Sequence, residues 1–332
     1  MENPEEIQSK QEMKTPEASN IVKESLAKIK TEVQKVLVGM DDAIELSLAA
    51  IMVDGHILLE GFPGLAKTLL VKLVAQTVDV GFKRIQFTPD LMPADVLGTS
   101  VFDPKEGSFK FHRGPIFSNF VLIDEINRSP AKTQSALFEV MEERQVTNEG
   151  ESLSLGFPFL VIATQNPIDQ EGTYRLPEAQ LDRFLFKIKV PYPSKEEERD
   201  MLLRFKEDFD QSLTKEVKPV IDAKTIKECQ TFIEKIRIDD ALIDYITALA
   251  QATRNHPSIY LGASPRASLS IMKASKALAA MAGRDFVSPD DVQTACIPIL
   301  NHRILLTASA EMEGFSSEDL IKEVIDSIEV PR

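Results

Sequence analysis

A glycine-rich segment near residue 60 constrains the fold of this chain more than any other feature of its sequence. Residues 61–68 read GFPGLAKT; they follow the apolar run 57–59 and precede a helical pattern that begins at Lys67. The spacing is that of the phosphate-binding loop G-x-x-x-x-G-K-[ST], except that Ala66 replaces the last glycine. Because such a loop joins a buried strand to a helix N-terminus, the segment predicts an α/β fold built on a parallel sheet.

The chemistry of a phosphate-binding loop requires three kinds of group. Backbone N–H groups at a helix N-terminus face the β-phosphate, Lys67 reaches the β- and γ-phosphate oxygens, and the hydroxyl of Thr68 binds Mg²⁺. Ala66 is small enough to permit that approach, although an ordinary strand-to-helix turn is the alternative interpretation. The residues predicted to surround the nucleotide are Gly61, Pro63, Gly64, Leu65, Ala66, Lys67, Thr68 and Leu69.

Two carboxylates follow a second apolar run. Residues 120–123 read FVLI and lead directly into Asp124 and Glu125. Ligands of open α/β sheets bind at the carboxyl ends of the strands, where both side chains would lie. We therefore predict that Asp124 holds Mg²⁺ together with Thr68 and that Glu125 is the general base toward the attacking water. The alternative role is an N-cap for the following helix.

An amide ends the next strand pattern. Asn166 lies in the segment ATQNP at residues 163–167, directly after an apolar run. At the tip of a strand beside the phosphate loop, such an amide can orient the nucleophilic water or contact the γ-phosphate. A turn-forming Asn-Pro pair is equally compatible with the spacing.

The chain divides into an α/β part and a helical part. Short apolar runs alternate with helical patterns up to residue 190, and after Pro191 only helical patterns follow. Short, nearly continuous apolar runs are typical of parallel strands that are buried on both faces. The predicted divisions are a mobile polar tail at 1–18, a nucleotide-binding domain at 19–190 and an all-helical domain at 191–332.

The composition excludes several classes of protein. With 38 Lys and Arg against 52 Asp and Glu, the net charge of −14 disfavours a dedicated polyanion binder, although a local basic stripe stays open. Cys229 and Cys296 lie far apart and support neither a disulfide framework nor a cysteine zinc site. The sequence has no pattern of a signal peptide or a membrane span, so we expect no direct membrane insertion and a cytoplasmic location.

Five motifs in a fixed order carry a family resemblance. GFPGLAKT, VLIDEINR, ATQNP, LPEAQLDRF and GASPRA occur in the order found in MoxR-type AAA+ ATPases, and the similarity covers nearly the whole chain after the tail. More distantly, the chain resembles the magnesium-chelatase ATPase subunit and other helix-2-insert AAA+ proteins. The resemblance implies a P-loop NTPase core with a five-stranded parallel sheet in the order 5-1-4-3-2, followed by a helical lid.

The resemblance also implies roles for individual residues. Asn166 would be the sensor-1 residue, and Arg183 matches the arginine finger that reaches the nucleotide of a neighbouring subunit. Arg175 is a rival for that role, and an ion pair of Arg183 with Asp182 or Glu178 is the structural alternative. Arg266 matches sensor 2, the lid arginine that contacts the nucleotide of its own subunit, although it could equally be a surface arginine of a first helical turn.

Other segments gain an explanation from the same family. Residues 102–114 lie where the helix-2 insert belongs, and 145–155 match a hairpin that precedes sensor 1. Val38 and Gly39 resemble the segment that lines the adenine pocket. Gln86, at the tip of the second strand, is a candidate switch residue that restrains Glu125.

The implied activity is Mg²⁺-dependent hydrolysis of ATP by an oligomeric, chaperone-like machine. The family implies a homo-oligomeric ring, most often a hexamer, a partner protein with a von Willebrand factor A domain, and a protein client or metal-enzyme complex that is remodelled or matured. One alternative is a nucleic-acid motor related to the MCM helicases, which the negative charge and the lack of a basic run at 148–152 oppose. Another is a nucleotide-controlled scaffold with little hydrolysis.

Overall fold

The computed structural model of the chain describes residues 15–167, 174, 176–207 and 212–331. Residues 1–14 of the predicted tail lie outside this range, and the first helix begins at Thr15. None of the described helices has the length and apolar character that a membrane crossing requires.

The first part of the chain alternates helices and strands, as the sequence predicted. Its elements are α1 (Thr15–Gln34), α2 (Asp41–Met52), β1 (His56–Glu60), α3 (Lys67–Thr77), β2 (Phe82–Gln86), α4 (Pro93–Leu97), β3 (Gly98–Asp103), β4 (Ser108–Arg113), β5 (Phe120–Asp124), a 3₁₀ turn (Ile126–Arg128), α5 (Ala131–Glu143), β6 (Gln145–Asn148), β7 (Glu151–Ser154), β8 (Leu160–Gln165), α6 (Glu178–Leu181) and β9 (Phe184–Lys189).

A five-stranded parallel sheet forms the centre of this part. Its strand order is β2-β5-β8-β1-β9, which is the predicted order 5-1-4-3-2 once the strands of the hairpins are left out of the count. Successive residues of β1 are buried on opposite faces, because Ile57 and Leu59 belong to one apolar cluster and Leu58 to another. Burial on both faces explains why the strand sequences are almost continuously apolar.

Two antiparallel hairpins project from the sheet domain. Strands β3 and β4 pair in a hairpin that begins at Gly98, before the predicted start of the insert at 102, and β6 pairs with β7, as the predicted hairpin requires. The amide of Asn148 donates a 3.1 Å hydrogen bond to the hydroxyl of Ser100, which joins the two hairpins. At the end of the first hairpin, the rings of Phe102 and Phe109 contact each other edge to face and remain largely exposed.

The second part of the chain is helical, as predicted, apart from one pair of short antiparallel strands. Its elements are α7 (Lys195–Phe205), a 3₁₀ turn (Ser212–Lys215), α8 (Ala223–Glu234), α9 (Asp240–Asn255), β10 (Ile259–Leu261), α10 (Pro265–Met281), α11 (Pro289–Leu300), β11 (Leu305–Leu306), α12 (Ala308–Met312) and α13 (Ser317–Ser327). Helix α10 contacts α1 and α2, so one apolar cluster runs through both parts of the chain.

Candidate functional site

An open cavity of about 760 Å³ lies at the carboxyl edge of the sheet. It forms there because the loop after β1 and the ends of β2, β5 and β8 meet at this edge. The sequence-predicted residues that line it are Pro63, Gly64, Leu65, Ala66, Lys67, Thr68, Leu69, Asp124, Glu125 and Asn166. The structure therefore brings together side chains from three motifs that are separated by up to about a hundred positions.

The loop between β1 and α3 has the geometry of an anion site. Gly64 and Ala66 both have positive φ, +85° and +53°, and helix α3 begins directly after Ala66. Left-handed residues before a helix turn successive N–H groups toward one concave side, which suits a phosphate. Gly61 is required at the start of the loop, because a Cβ there would lie 2.8 Å from the carbonyl oxygen of Val190.

The lysine of the loop points back at the loop itself. The ammonium of Lys67 donates hydrogen bonds to the carbonyl oxygens of Gly61 and Phe62, the latter at 2.7 Å. Burial lowers the pKa of Lys67, and the neighbouring charges of Asp124 and Glu125 act in the opposite direction. The charged amine is thus held at the mouth of the cavity where β- and γ-phosphate oxygens would lie.

Hard oxygen groups meet beside the lysine. The hydroxyl of Thr68 lies 3.2 Å and 3.4 Å from the two carboxylate oxygens of Asp124, and Thr164 donates a 3.2 Å hydrogen bond to the same carboxylate. Mg²⁺ prefers oxygen ligands and is usually held by one or two protein groups together with water and substrate phosphates. Thr68 and Asp124 therefore fit the predicted magnesium site.

The second carboxylate is held at the rim of the cavity. Glu125 has a positive φ of +56°, and its backbone N–H donates to the hydroxyl of Thr164 at 3.0 Å. Its carboxylate accepts hydrogen bonds from Gln86 at 3.0 Å and from Arg128 at 2.8 Å. The contact expected for Gln86 is present, whereas Arg128 was not singled out from the sequence, although its place three residues after Glu125 was a signal for a local ion pair.

A basic side chain of β2 was also missed. Arg84 lines the cavity, and its Nε donates a 2.6 Å hydrogen bond to Asp124. Nothing in the local sequence distinguishes Arg84 from the neighbouring Lys83. Only the parallel register of β2 on β5, in which Gln86 lies opposite Asp124, brings Arg84 to this carboxylate.

A second cavity of about 370 Å³ adjoins the first. Val38 and Gly39 line it together with the phosphate loop and the segment that enters α7, as expected for an adenine pocket. Tyr192 stacks on Phe62 with ring centroids 5.3 Å apart. Gly39 has a φ of +71°, and a Cβ there would lie 2.5 Å from a carboxylate oxygen of Glu197, so a larger residue would strain the backbone and displace that carboxylate.

The predicted finger and lid arginines lie together, but not in either cavity. Arg183 donates to the carbonyl oxygen of Phe138 at 2.8 Å and to the carboxylate of Glu142 at 3.1 Å. Arg266 donates to the other oxygen of Glu142 at 2.8 Å. The ion-pair partner of Arg183 here is thus Glu142, and the rival candidate Arg175 lies outside the described residues.

Strand direction puts this pair at the opposite edge of the sheet. Arg183 precedes β9, whose first residue, Phe184, pairs with the first residue of β1, whereas the phosphate loop follows the last residue of β1. Five residues at about 3.3 Å each separate the two edges by roughly 15 Å. Arg266 lines neither cavity of its own subunit, because the packing of α10 places it beside Glu142 and Asp182.

Comparisons with known proteins agree with this geometry. A family model described as "ATPase family associated with various cellular activities (AAA)" matches residues 56–186, and one described as "AAA lid domain" matches residues 251–324. The chain is 46% identical over 307 residues to the uncharacterised protein YeaC of Bacillus subtilis, covering 92% of this chain and 95% of that protein.

Two further relatives are similar along most of their length. The chain is 43% identical over 310 residues to the chaperone MoxR1 of Mycobacterium tuberculosis, covering 91% of this chain and 81% of that protein. The crystal structure of a candidate ATPase from Cytophaga hutchinsonii matches with a TM-score of 0.87 and 42% identity, covering 95% and 98% of the two chains. With this extent of similarity, the chain belongs to the MoxR family of AAA+ ATPases.

Proposed function

We propose that this protein hydrolyses ATP with Mg²⁺ and that a second copy of the chain completes each active site. One observation carries the proposal. The phosphate loop, Asp124 and Glu125 lie at one edge of the sheet, whereas Arg183 and Arg266 lie at the other. A phosphate cavity that neither Arg183 nor Arg266 lines, together with an arginine pair at the opposite edge of the sheet, fits a head-to-tail assembly of identical subunits.

Each group in the cavity has a chemical task in this reaction. The N–H groups of the loop and Lys67 bind the β- and γ-phosphates, and Thr68 and Asp124 hold the cation. Bound Mg²⁺ supplies positive charge that polarises the phosphoryl oxygens. Glu125 orients the attacking water and accepts its proton, and Asn166 fixes the water or the γ-phosphate.

The arginines supply the part of the reaction that a single subunit lacks. A guanidinium that approaches the γ-phosphate from a neighbouring subunit neutralises charge that develops in the transition state and contributes about 10³-fold or more to the rate. Because Glu142 holds Arg183 and Arg266 in one place, both reach the same neighbouring site. This arrangement replaces the contact of Arg266 in its own subunit that the sequence analysis expected.

The biological role that we propose is remodelling of a protein client in the cytoplasm. One relative supports it: MoxR1 is named a chaperone, and the chain shares 43% identity with it. The exposed ring pair of Phe102 and Phe109 offers an apolar contact for a client. A hexameric ring and a partner with a von Willebrand factor A domain follow from the family resemblance. The acidic residues Glu149 and Glu151 at the turn of the second hairpin argue against a nucleic-acid motor.

The first experiment tests the site in a homogeneous assembly. We expect Glu125→Gln to keep ATP binding and to lose steady-state hydrolysis, because the amide retains the shape of the side chain but cannot accept a proton. Glu139→Gln, a matched change at an exposed position of α5, is the control and should keep the wild-type rate. An undiminished rate in Glu125→Gln would contradict the assignment of the base.

The second experiment tests whether the site is shared. Glu125→Gln and Arg183→Ala are each expected to be inactive when assembled alone. In a randomly assembled equal mixture, half of the sites carry an intact Glu125 and half of those face an intact Arg183, so about a quarter of the wild-type rate should return. A mixture as inactive as its components would overturn the proposal.

The client is sought by identifying which proteins co-purify with Glu125→Gln in ATP.

A further inference from the structure

Arg84 lies where it competes with the cation for Asp124. Its guanidinium is 2.6 Å from one carboxylate oxygen of Asp124, and both side chains line the cavity. The carboxylate is almost completely buried, with 6% of its side-chain surface exposed, whereas Arg84 is 54% exposed. An exposed positive charge therefore pairs with a buried negative one that the metal would also use.

The single carboxylate of Asp124 cannot neutralise both the guanidinium of Arg84 and a divalent cation. Asp124 already accepts hydrogen bonds from Thr68 and Thr164. A divalent cation at Thr68 and Asp124 would place two further positive charges next to the guanidinium, and repulsion between like charges at such a distance in a partly buried site is strong. Arg84 must then leave Asp124 or find an additional negative partner.

A nucleotide supplies that partner within the same cavity. Arg84, Lys67 and Lys72 line the space into which the phosphates would extend. Guanidinium groups bind phosphate oxygens through paired N–H donors, and the exposed side chain of Arg84 can turn toward them without disturbing the core.

The position of Arg84 also couples the metal ligand to the general base. Its second guanidinium nitrogen lies 3.4 Å from the amide oxygen of Gln86, and the amide nitrogen of Gln86 donates to Glu125. Movement of Arg84 away from Asp124 removes the donor that holds the amide of Gln86 in this orientation. The restraint that Gln86 places on Glu125 therefore loosens when the cation binds.

From these contacts we propose that Arg84 is a positioning residue: it occupies Asp124 when no nucleotide is bound and exchanges that carboxylate for the terminal phosphate of a nucleoside triphosphate when the divalent cation binds. This inference rests on the proposed ATP site. It makes binding of the cation and of the terminal phosphate mutually dependent, so that neither the metal alone nor a diphosphate releases Arg84.

The first test measures the metal without nucleotide. Mn²⁺ is titrated into nucleotide-free protein and followed by electron paramagnetic resonance. Arg84→Ala should bind Mn²⁺ about tenfold more tightly than the wild type, since one neighbouring charge commonly alters the affinity of a carboxylate for a proton by that much. Arg84→Lys keeps the charge and should stay near the wild type. Lys83 precedes Arg84 in β2, and successive side chains of a strand point to opposite faces. Lys83→Ala therefore removes one positive charge on the other face of the strand and is the control.

The second test measures discrimination between nucleotides. With Mg²⁺ present, Arg84→Ala should bind a non-hydrolysable ATP analogue about tenfold more weakly, whereas its affinity for ADP should not fall, because Arg84 contacts only the terminal phosphate and its removal frees Asp124 for the cation. Equal Mn²⁺ affinities of wild type and Arg84→Ala, or equal losses for the analogue and ADP, would overturn the inference. A wild type that binds neither nucleotide would instead refute the proposed ATP site, and the Mn²⁺ titration would still decide the role of Arg84.

Discussion

Arg303 joins the helical part of the chain to the sheet, and its removal should lower the free energy of unfolding substantially. The side chain follows α11 and is 2% exposed. Its guanidinium donates hydrogen bonds to the carboxylate and the carbonyl oxygen of Asp182, to the carbonyl oxygens of Phe184 and Leu185 at the start of β9, and to that of Ile299. Four backbone acceptors and one carboxylate therefore depend on one buried charge.

The magnitude follows from what Arg303→Met would leave behind. Removing one partner of a buried ion pair typically costs about 3–5 kcal/mol, because the other groups stay desolvated without a donor. Asp182 keeps 24% of its side-chain surface exposed, so water can rehydrate it. We therefore expect the lower end, a loss of about 3 kcal/mol in the free energy of unfolding.

Urea denaturation measures this loss, and Arg183→Met is the matched control. Arg183 and Glu142 are 29% and 40% exposed, and such pairs contribute about 1 kcal/mol or less. One apolar cluster runs through both parts of the chain, so we expect a single transition with an unchanged m-value. A loss for Arg303→Met within about 0.5 kcal/mol of that for Arg183→Met would refute the reasoning.

Three further predictions concern pH, metal and nucleotide. Burial, with a smaller contribution from a neighbouring arginine, lowers the pKa of His56 from 6.5 to about 3. As the pH falls, the unfolded chain therefore binds a proton at His56 before the folded chain does. The free energy of unfolding falls as the pH drops from 6.5 toward 3. At pH 5 the loss from His56 is about 2 kcal/mol. Burial also lowers the pKa of His302, so both proteins lose stability between pH 7 and pH 5, and urea titrations should show a loss about 2 kcal/mol smaller in His56→Gln than in the wild type. Thr68→Ala should raise the Mg²⁺ concentration needed for ATP binding by about tenfold, measured by titration with a fluorescent nucleotide; an unchanged requirement would exclude Thr68 as a ligand. Gly39→Ala should weaken nucleotide binding several-fold through contact with Glu197, whereas Gly314→Ala, with a similar positive φ and open space around it, should not.

The elements of the fold were predictable from local sequence. Apolar runs of strand length and the loop at 61–68 each depend on neighbouring residues, and the sheet order was expected from the family resemblance. The short pair β10 and β11 was not predicted, since two or three residues carry too little periodicity for a strand signal.

Some functional and structural residues were likewise predictable from local sequence, and others were not. Lys67, Asp124 and Asn166 were identified because their motifs follow strands of one parallel sheet, and the carboxyl ends of parallel strands lie at the same edge. Arg84 and Arg303 were not identified, because neither has a distinctive local sequence; each reaches its partner only through pairing of distant segments.

The sequence by itself thus determined that this chain builds a phosphate-binding edge, because the residues involved are close along the chain or end strands of known direction. Only the tertiary structure decided where Arg183 and Arg266 lie. Arg266 is 124 positions from Glu142, and their contact depends on how α10 packs, which no local pattern specifies. Strand direction places Arg183, and packing of α10 places Arg266, about the length of a strand from the phosphate loop, and for this physical reason we place their partner in another subunit.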